Sequence, residues 1–496
     1  MNAPRQANDR TAALLAPVLA ELPLNDPLAA GRRVLHFLAS LREEPQEPQG
    51  RLDTLELLRP SVAHLRDQIS ATTSRHAVAP DSPEDAAFSL MVQVLEELGN
   101  TYERLAADAG RSQNARWLAL AAQRSVDLEG QLLIEHFLAR RKAPPGAWLT
   151  LHRRLQQATE RQAASLRVPD LLHAWGQHLL SPRESHAALL LVDLANPYSR
   201  GLPELRGIIH WAFYFARGVE LIPARGGEPA KTYVVDPSSD QAVRSMQGGN
   251  VPAGTLCLVH EGLGKSLQAV LGQFKAGSSL REQGLSSPLS DEDTRHLLTR
   301  LYRPWCLGAA ARRFPRRKGN GTAQLCAGFP SIFLHVWGEA AGQDGHSQHH
   351  KGLEEWEVAD ESLGGFRLVR RQRGRALDQG QLLGLRPSGG GKMLLAHVSW
   401  LMFEGDGTFQ IGIAMVPGTP EAVRVRNQSR AGANALQGFL MSGVAALREQ
   451  ASVVLPTGSA EPGDLIEVLG VRGHTVLLDK LLQSGGDFDR FSLGEE

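Results

Sequence analysis

Apolar residues recur three or four positions apart through much of the first third of the chain. One such stripe follows Ser82 and comprises Phe88, Val92, Leu95, Leu98, Tyr102 and Leu105. Three residues are typical of a helix start: Ser82 is a good N-cap, Pro83 fits the first helical position, and Asp85 suits the positive end of the helix dipole. Two further stripes cover residues 52–69 and 117–137. The spacing predicts one-sided helices that bury their apolar faces against one another, as a bundle or a stack of helical hairpins.

Residues 186–305 combine helical and strand-like patterns. The runs 231–235 and 255–259 are rich in β-branched residues and predict strands. Ser290 precedes an acidic turn and a helical stripe, which predicts a capped helix. The apolar run 186–194 fits either a buried helix or a buried strand.

From about residue 306 onward, short β-rich runs alternate with glycine-rich turns. The runs are 323–334, 366–369, 381–385, 393–400, 410–415, 422–425, 465–469 and 475–478. Short strands at this spacing predict an antiparallel β-barrel. We therefore expect an α+β multidomain protein with a helical domain (1–185), a mixed α/β middle region (186–305) and a barrel domain (306–496).

Composition narrows the class of protein. The 496 residues exceed the size of a single core, and the formal net charge is zero. Balanced charge argues against binding a nucleic-acid polymer, which needs an excess of Lys and Arg. Three cysteines are too few for a disulfide-based fold, and no apolar run approaches the ~18 residues of a membrane-spanning helix. The beginning of the chain does not resemble a secretion signal. We expect a cytoplasmic protein without membrane insertion.

Two short motifs are similar to nucleotide-enzyme motifs. Residues 264–266 (Gly-Lys-Ser) follow a strand-like run, as in the phosphate loop of nucleoside triphosphatases, but Val259 stands where that loop needs its first glycine. We expect a helix start there and keep a triphosphatase as a third hypothesis. Residues 485–489 (Gly-Gly-Asp-Phe-Asp) are similar to the diguanylate cyclase signature, but only seven residues follow them. We expect a terminal turn.

Metal-ligating residue types occur without the spacing of a metal site. His346, His349 and His350 lie with Asp344 in a loop-like stretch of Gly, Gln and Ser, and the three cysteines (Cys257, Cys306 and Cys326) lack a C-x-x-C spacing. Metal ligands need a supporting scaffold, so we expect a solvated loop and lone buried thiols. Hydrolase motifs such as G-x-S-x-G and H-E-x-x-H are missing from the sequence. No metal, cofactor or catalytic residue is predicted.

Two segments of the C-terminal region combine into one pattern. The first contains Arg312, Arg313 and Arg317, and the second contains Asp360, Ser362, Gly364 and Gly365. The spacing R-x-x-x-R is followed by D-x-S-x-x-G, and each leads into a strand-like run. This pair resembles the signature of the PilZ domain family, over roughly residues 306–430. Pro315 inside the arginine segment and the long stretch 338–352, expected to be a hairpin insertion, depart from the family pattern.

The resemblance implies a receptor for cyclic diguanosine monophosphate (cyclic di-GMP) in a bacterial cytoplasm. Guanidinium groups suit this ligand, since they grip a phosphate or the O6/N7 edge of guanine with two parallel bonds. By the same resemblance, the seven residues of the two segments bind the ligand. The aspartate would accept bonds from guanine N1 and N2, the serine would add a small polar contact, and the glycines would allow close approach.

We therefore predict a non-enzymatic effector that senses cyclic di-GMP through its barrel. Ligand binding would draw the arginine segment onto the barrel and reorient the region before it. A protein partner, unidentified but by family analogy part of motility, adhesion or biofilm machinery, would bind the N-terminal helical region. The alternative is a degenerate PilZ-like interaction scaffold that binds no nucleotide.

Overall fold

The computed structural model describes residues 19, 21–43, 47–73, 77–111, 114–224, 231–247, 251–252, 254–275, 277–308, 314–340, 352–387, 391–430, 432, 434–469 and 473–494. The chain divides into two compact units, residues 1–311 and 312–496. The further division of the first unit near residue 186 stays a prediction.

The first unit is mainly helical. Its helices are α1 (Pro27–Glu43), α2 (Pro48–Thr73), α3 (Pro83–Arg111), α4 (Ala115–Leu138), α5 (Ala147–Glu160), α6 (Pro182–Leu194), α7 (Leu202–Phe215), α8 (Glu261–Lys275) and α9 (Asp291–Tyr302). Its strands are β1 (Val168–Pro169), β2 (Leu179–Leu180), β3 (Glu220–Pro223), β4 (Lys231–Val235), β5 (Arg244–Gln247) and β6 (Leu256–Val259). None of the helices, over the residues that the structure describes, is long and apolar enough to cross a bilayer.

The predicted helical stripes form the core of α1–α5. Leu55, Leu98 and Tyr102 come from the stripes of α2 and α3, and all three are buried in one apolar cluster. The predicted start of α3 is confirmed, because the Ser82 hydroxyl accepts a hydrogen bond from the Asp85 N–H at 3.1 Å. One-sided helices thus bury their apolar faces against each other, as their spacing requires.

A buried group of charges ties α2 and α4 to the segment that follows α5. The fully buried Asp170 carboxylate lies 2.6 Å from Nη2 of Arg59 and 3.1 Å from Nη1 of Arg124. Glu56 pairs with both arginines at the edge of this group. Each charge has an opposite partner at close range, which compensates for its removal from water.

The apolar run 186–194 is helical and lies in the second core of this unit. It forms most of α6, whose first turn is a capping box between Ser181 and Glu184. The fully buried Trp305 donates its indole N–H to the Leu191 carbonyl at 2.8 Å. The strands β3–β6 form an antiparallel sheet in the order β3-β6-β4-β5.

The stretch 264–266 is not a phosphate loop. Strand β6 ends at Val259 and α8 already begins at Glu261, so Gly264 lies in helix and donates its N–H to the His260 carbonyl at 2.9 Å. Lys265 is exposed on the same helix. The helix agrees with the sequence prediction at this position, and it leaves no chain to wrap a phosphate.

Over the residues that the structure describes, the second unit consists of β-strands, one α-helix and a short 3-10 helix (Ala445–Leu447). The strands are β7 (Arg317–Lys318), β8 (Thr322–Ala327), β9 (Glu354–Ser362), β10 (Gly365–Arg370), β11 (Leu382–Pro387), β12 (Leu394–Phe403), β13 (Phe409–Met415), β14 (Pro420–Asn427), β15 (Leu436–Met441), β16 (Ser452–Pro456), β17 (Leu465–Leu469), β18 (His474–Ser484) and β19 (Phe488–Leu493). The helix is α10 (Phe329–Ala340).

These strands form two antiparallel rings. In the first ring, the order β10-β13-β12-β11-β8-β9 closes because β9 also pairs with β10, and β7 adds to the outer edge of β9. The second ring is the closed barrel β14-β15-β16-β19-β18-β17. The predicted fold class, with helices first, a mixed middle region and a C-terminal antiparallel barrel, is confirmed.

Helix α10 and a polar turn join the two rings. Phe329 and Phe333 of α10 pack on Phe439 of the second ring, within an apolar cluster that includes residues of both rings. The turn predicted at 485–489 is confirmed only for residues 485–487, because Phe488 and Asp489 begin β19. In this turn the Asp487 carboxylate accepts a hydrogen bond from the Leu382 N–H at 2.7 Å. The rings therefore share one core.

One sequence prediction in this unit is wrong in part. The apolar run 323–334 predicts one strand, but β8 ends at Ala327 and α10 begins at Phe329. Gly328 has a left-handed φ of +92°, and Pro330 lies in the first helical turn, where its missing N–H is harmless. Most of the predicted insertion 338–352 lies outside the described residues, and so do all three of its histidines.

Candidate functional site

Asp360 and Ser362, two of the predicted site residues, lie at the C-terminal end of β9. This end pairs with β7 on one side, where Lys318 lies opposite Asp360, and with β10 on the other, where Arg367 lies opposite Asp360. Directly opposed residues of an antiparallel pair share one face of the sheet. A lysine, an aspartate and an arginine therefore form a row across three adjacent strands.

Two arginines contact the carboxylate of Asp360, one at each oxygen. Nη1 of Arg316 donates a hydrogen bond to Oδ1 at 2.5 Å. Nε of Arg367 lies 2.8 Å from Oδ2 and forms an ion pair with it, although the angle is poor for a hydrogen bond. The side chain of Asp360 is 17% exposed and those of the arginines 32% and 41%, so the cluster is open to solvent.

A glycine turn next to Asp360 shapes the rim of the site. Strand β9 ends at Ser362, whose hydroxyl donates a hydrogen bond to the Gly365 carbonyl at 3.2 Å across the turn. Gly365 has a φ of +156°, and a Cβ there would overlap the carbonyl oxygen of Ile413 on β13. A Cβ on Gly364 would lie 3.0 Å from the ring of Phe314. Gly365 is required because backbone lies against it, whereas a side chain at position 364 would need the Phe314 ring to shift slightly.

An aromatic ring extends the row beyond Arg367. Arg367 pairs with Gly412 on β13, and Gly412 pairs with Trp400 on β12. A Cβ on Gly412 would overlap the indole of Trp400, so this ring lies across the glycine. The site thus combines guanidinium groups, a carboxylate and a flat apolar surface on one face, which suits a planar ligand that carries hydrogen-bond donors, acceptors and negative charge.

The structure brings together four of the seven residues that the sequence predicts. Asp360, Ser362, Gly364 and Gly365 lie at one turn. Arg317 lies on the neighbouring strand but opposite Glu361, one position from Asp360. The other two, Arg312 and Arg313, lie outside the described residues.

Sequence reasoning missed Arg316 and Arg367, which contact the aspartate. Arg316 lies inside the predicted arginine segment, and only the register of β7 selects it over its neighbours. Arg367 lies seven positions after Asp360, and it follows the glycine turn as the second residue after Gly365. The hairpin geometry could have indicated it, since a tight turn after Ser362 places residue 367 opposite residue 360.

A cavity in the first unit has a lining that differs from the site around Asp360. It has a volume of about 510 Å³, and its lining includes His152, His186 and Asp236. Burial lowers the pKa of both histidines, and Nδ1 of His152 lies 2.8 Å from Nε2 of His186. No described arginine or lysine lines this cavity, so it lacks the cations that a phosphate ligand requires.

Metal ligands are not gathered anywhere in the part of the chain that the structure describes. Within it, no group of three or more His, Cys, Asp or Glu side chains could hold a metal ion. All three cysteines are described, and none of them forms a disulfide bond. Burial raises the pKa of the Cys306 and Cys326 thiols to about 11, which keeps them protonated near neutral pH.

Comparisons with known proteins place both ends of the chain in one family. Residues 12–225 match the family model described as "Cyclic-di-GMP receptor FimW, N-terminal domain", and residues 422–494 match "FimW C-terminal beta-barrel domain". The second match coincides with the closed ring β14–β19. The ring that carries Asp360 lies between the two matched stretches.

A relative in Pseudomonas aeruginosa is similar along nearly the whole chain. The protein "Cyclic-di-GMP receptor FimW" is 22% identical over 548 aligned positions, which cover 95% of this chain and 88% of the relative. The alignment therefore extends across both units. No solved structure matches the chain.

Proposed function

We propose that this chain, which belongs to the FimW family of cyclic-di-GMP receptors, binds cyclic di-GMP itself. The observation that carries the proposal is the cluster around Asp360. Two guanidinium groups and one carboxylate lie beside a glycine turn, on a face that also bears the Trp400 indole. Guanine offers two N–H donors to a carboxylate, and the phosphates and O6/N7 edge are acceptors for guanidinium groups.

The ring β8–β13 is the proposed sensor, and we interpret it as PilZ-like. Strand β7, at the end of the arginine segment, pairs with one side of β9, and the glycine turn lies at the end of β9. In this proposal Asp360 and Ser362 bind guanine edges, and Gly364 and Gly365 keep the rim open. The arginines of the segment, Arg312, Arg313 and Arg317 together with Arg316, supply cations to the phosphates.

We further propose that the arginine segment couples the ligand to a protein partner. The segment begins where the first unit ends, at residues 311–312. A ligand that binds the arginines more tightly in one arrangement favours that arrangement by its difference in affinity. The helical first unit would present the altered surface to the partner. This activity needs no catalysis, and the bacterial cytoplasm is the proposed location.

Calorimetric titration with cyclic di-GMP tests the binding proposal. Replacing Asp360 by Ala removes a charged acceptor, and a hydrogen bond to a charged group contributes about 1.5–3 kcal/mol. We expect Asp360→Ala to weaken binding by about 10–100-fold. The matched control is Asp479→Ala, an exposed aspartate on β18 whose removal leaves the first ring intact. We expect it to bind as the wild type does.

Two results would redirect the proposal. If the wild type gives no binding heat at micromolar cyclic di-GMP, the chain is an interaction scaffold rather than a receptor. If Asp360→Ala and the wild type bind equally, the ligand occupies another site. The triphosphatase hypothesis loses its structural basis, since residues 264–266 lie in helix α8.

A further inference from the structure

The row of residues across the first ring assigns a role to Arg367 that the sequence motif leaves open. In the motif, Arg317 is the arginine nearest the barrel, but the register of β7 places it opposite Glu361. Lys318 lies opposite Asp360 on that side, and Arg367 lies opposite Asp360 on β10. Arg367 is thus the arginine held on the same face as Asp360 by strand pairing rather than by a loop.

The backbone of Arg367 is fixed by strand pairing, while the end of its side chain is exposed to solvent. Its backbone pairs with both β9 and β13, and its Nε is buried beside the Asp360 carboxylate. The side chain as a whole remains 41% exposed. In contrast to Arg316, which precedes β7, Arg367 keeps its place however the arginine segment moves. A guanidinium fixed in this way loses little side-chain entropy when it binds.

Guanine chemistry fits the spacing of this pair. The groups N2, N1, O6 and N7 follow one another around the edge of guanine, two donors and then two acceptors. A carboxylate that accepts from N2 and N1 therefore lies next to a guanidinium that donates to O6 and N7. Asp360 and Arg367 are direct cross-strand neighbours, and the Trp400 indole beyond Arg367 offers a flat surface for the base.

We infer that Arg367 reads the O6/N7 edge of one guanine of cyclic di-GMP while Asp360 reads its N1/N2 edge. Arg367 is then the residue that distinguishes guanine from adenine, which presents an amino donor where guanine has O6. This inference rests on the proposed function. In the absence of ligand, the ion pair with Asp360 keeps both groups in position.

The test combines two variants with two ligands. Full-length wild type, Arg367→Gln and Arg367→Lys are titrated with cyclic di-GMP and with its 7-deaza analogue, in which both guanines lack N7. The matched control is Arg371→Gln, since Arg371 is 68% exposed and lies 3.7 Å from its partner Glu357. One bidentate arginine–guanine contact is worth about 1–3 kcal/mol, so we expect Arg367→Gln to weaken cyclic di-GMP binding about 5–150-fold.

The analogue separates direct contact from support of the fold. The wild type should bind the 7-deaza analogue more weakly than cyclic di-GMP, and Arg367→Gln should bind both ligands equally. Arg367→Lys keeps the charge beside Asp360 and can still donate to O6 and N7, so it should retain part of the preference. Arg371→Gln should retain it.

Several outcomes overturn the inference. If the wild type binds the two ligands with equal affinity, the protein does not contact N7. This result does not depend on whether any variant folds. An undiminished preference in Arg367→Gln means that another residue contacts N7. If cyclic di-GMP binds and Asp360→Ala weakens it while the preference survives undiminished in Arg367→Gln, the proposed function stands and the role of Arg367 falls. If the wild type binds no cyclic di-GMP, both fall.

Discussion

Replacing Gly365 by Ala probes the turn that shapes the site. Gly365 follows the β9–β10 turn with a φ of +156°, and its missing Cβ leaves room for the carbonyl oxygen of Ile413. The neighbour is backbone of β13, paired with β10 along its length, so it cannot rotate away as a side chain could. The strands must separate locally or the turn must change conformation.

The magnitude follows from the two penalties. Overpacking in a rigid environment costs about 1–3 kcal/mol, and a sparsely populated backbone conformation costs a further ~1–3 kcal/mol. A loss of about 2–6 kcal/mol lowers the melting temperature of a unit of 185 residues by roughly 4–24 °C. The change also displaces Ser362 and Asp360 through the turn, so we expect weaker cyclic di-GMP binding.

Scanning calorimetry of the full-length chain measures the effect, with Gly405→Ala as the control. Gly405 lies in the β12–β13 turn of the same ring, and a Cβ added there would meet no neighbouring atom within 4 Å. We expect Gly405→Ala to melt and bind as the wild type does. If Gly365→Ala matches Gly405→Ala in melting temperature and in affinity, the close approach of β13 at this turn does not exist and the steric argument fails.

Two further predictions concern the first unit. Burial raises the pKa of Glu135 to about 7, against the charge of Arg66, so the folded unit retains a proton that the unfolded chain releases above pH ~4.5. The free energy of unfolding should fall by at most about 3 kcal/mol as the pH rises from ~4.5 to 7 and should then level off. Urea unfolding of Glu135→Gln should show a smaller fall over the same pH range. A pH profile identical to that of the wild type contradicts the assignment of this proton to Glu135. Asp170→Asn should lower the free energy of unfolding by about 3–5 kcal/mol, because it removes the fully buried carboxylate between Arg59 and Arg124 and leaves the more exposed Glu56 as their remaining partner. Asp67→Asn, at an aspartate that is 67% exposed, should change it by about 0–1 kcal/mol in the same urea titration, and equal effects of the two variants contradict the role of the buried network.

Helix patterns could be predicted from the sequence where one face is apolar and the ends are capped. The stripe of α3 and its cap at Ser82 are confirmed, because both signals are local. The apolar run 323–334 lacks such contrast, and its first half is a strand while its second half is a helix. The run has no clear periodicity to separate a strand from a helix, and Gly328 and Pro330 mark the break.

The candidate site could be predicted only in its local part. Asp360 and the glycine turn are contiguous in sequence, so a motif describes them. The partners of Asp360 depend on which residue of a two-residue strand faces it and on the cross-strand register of β10. Neither is encoded in the spacing of the arginines, and for that reason Arg316 and Arg367 emerge only from the fold.

The apolar cluster shared by the two rings limits how the second unit can be divided. Phe329 and Phe333 of α10 pack on Phe439, and the 485–487 turn hydrogen-bonds to Gly380 and Leu382 of the first-ring region. A fragment cut after residue 416 would uncover aromatic surface and precipitate rather than report on the ligand. A chimaera that takes the second ring from a relative must therefore take the matching α10 as well, so that the two are exchanged together.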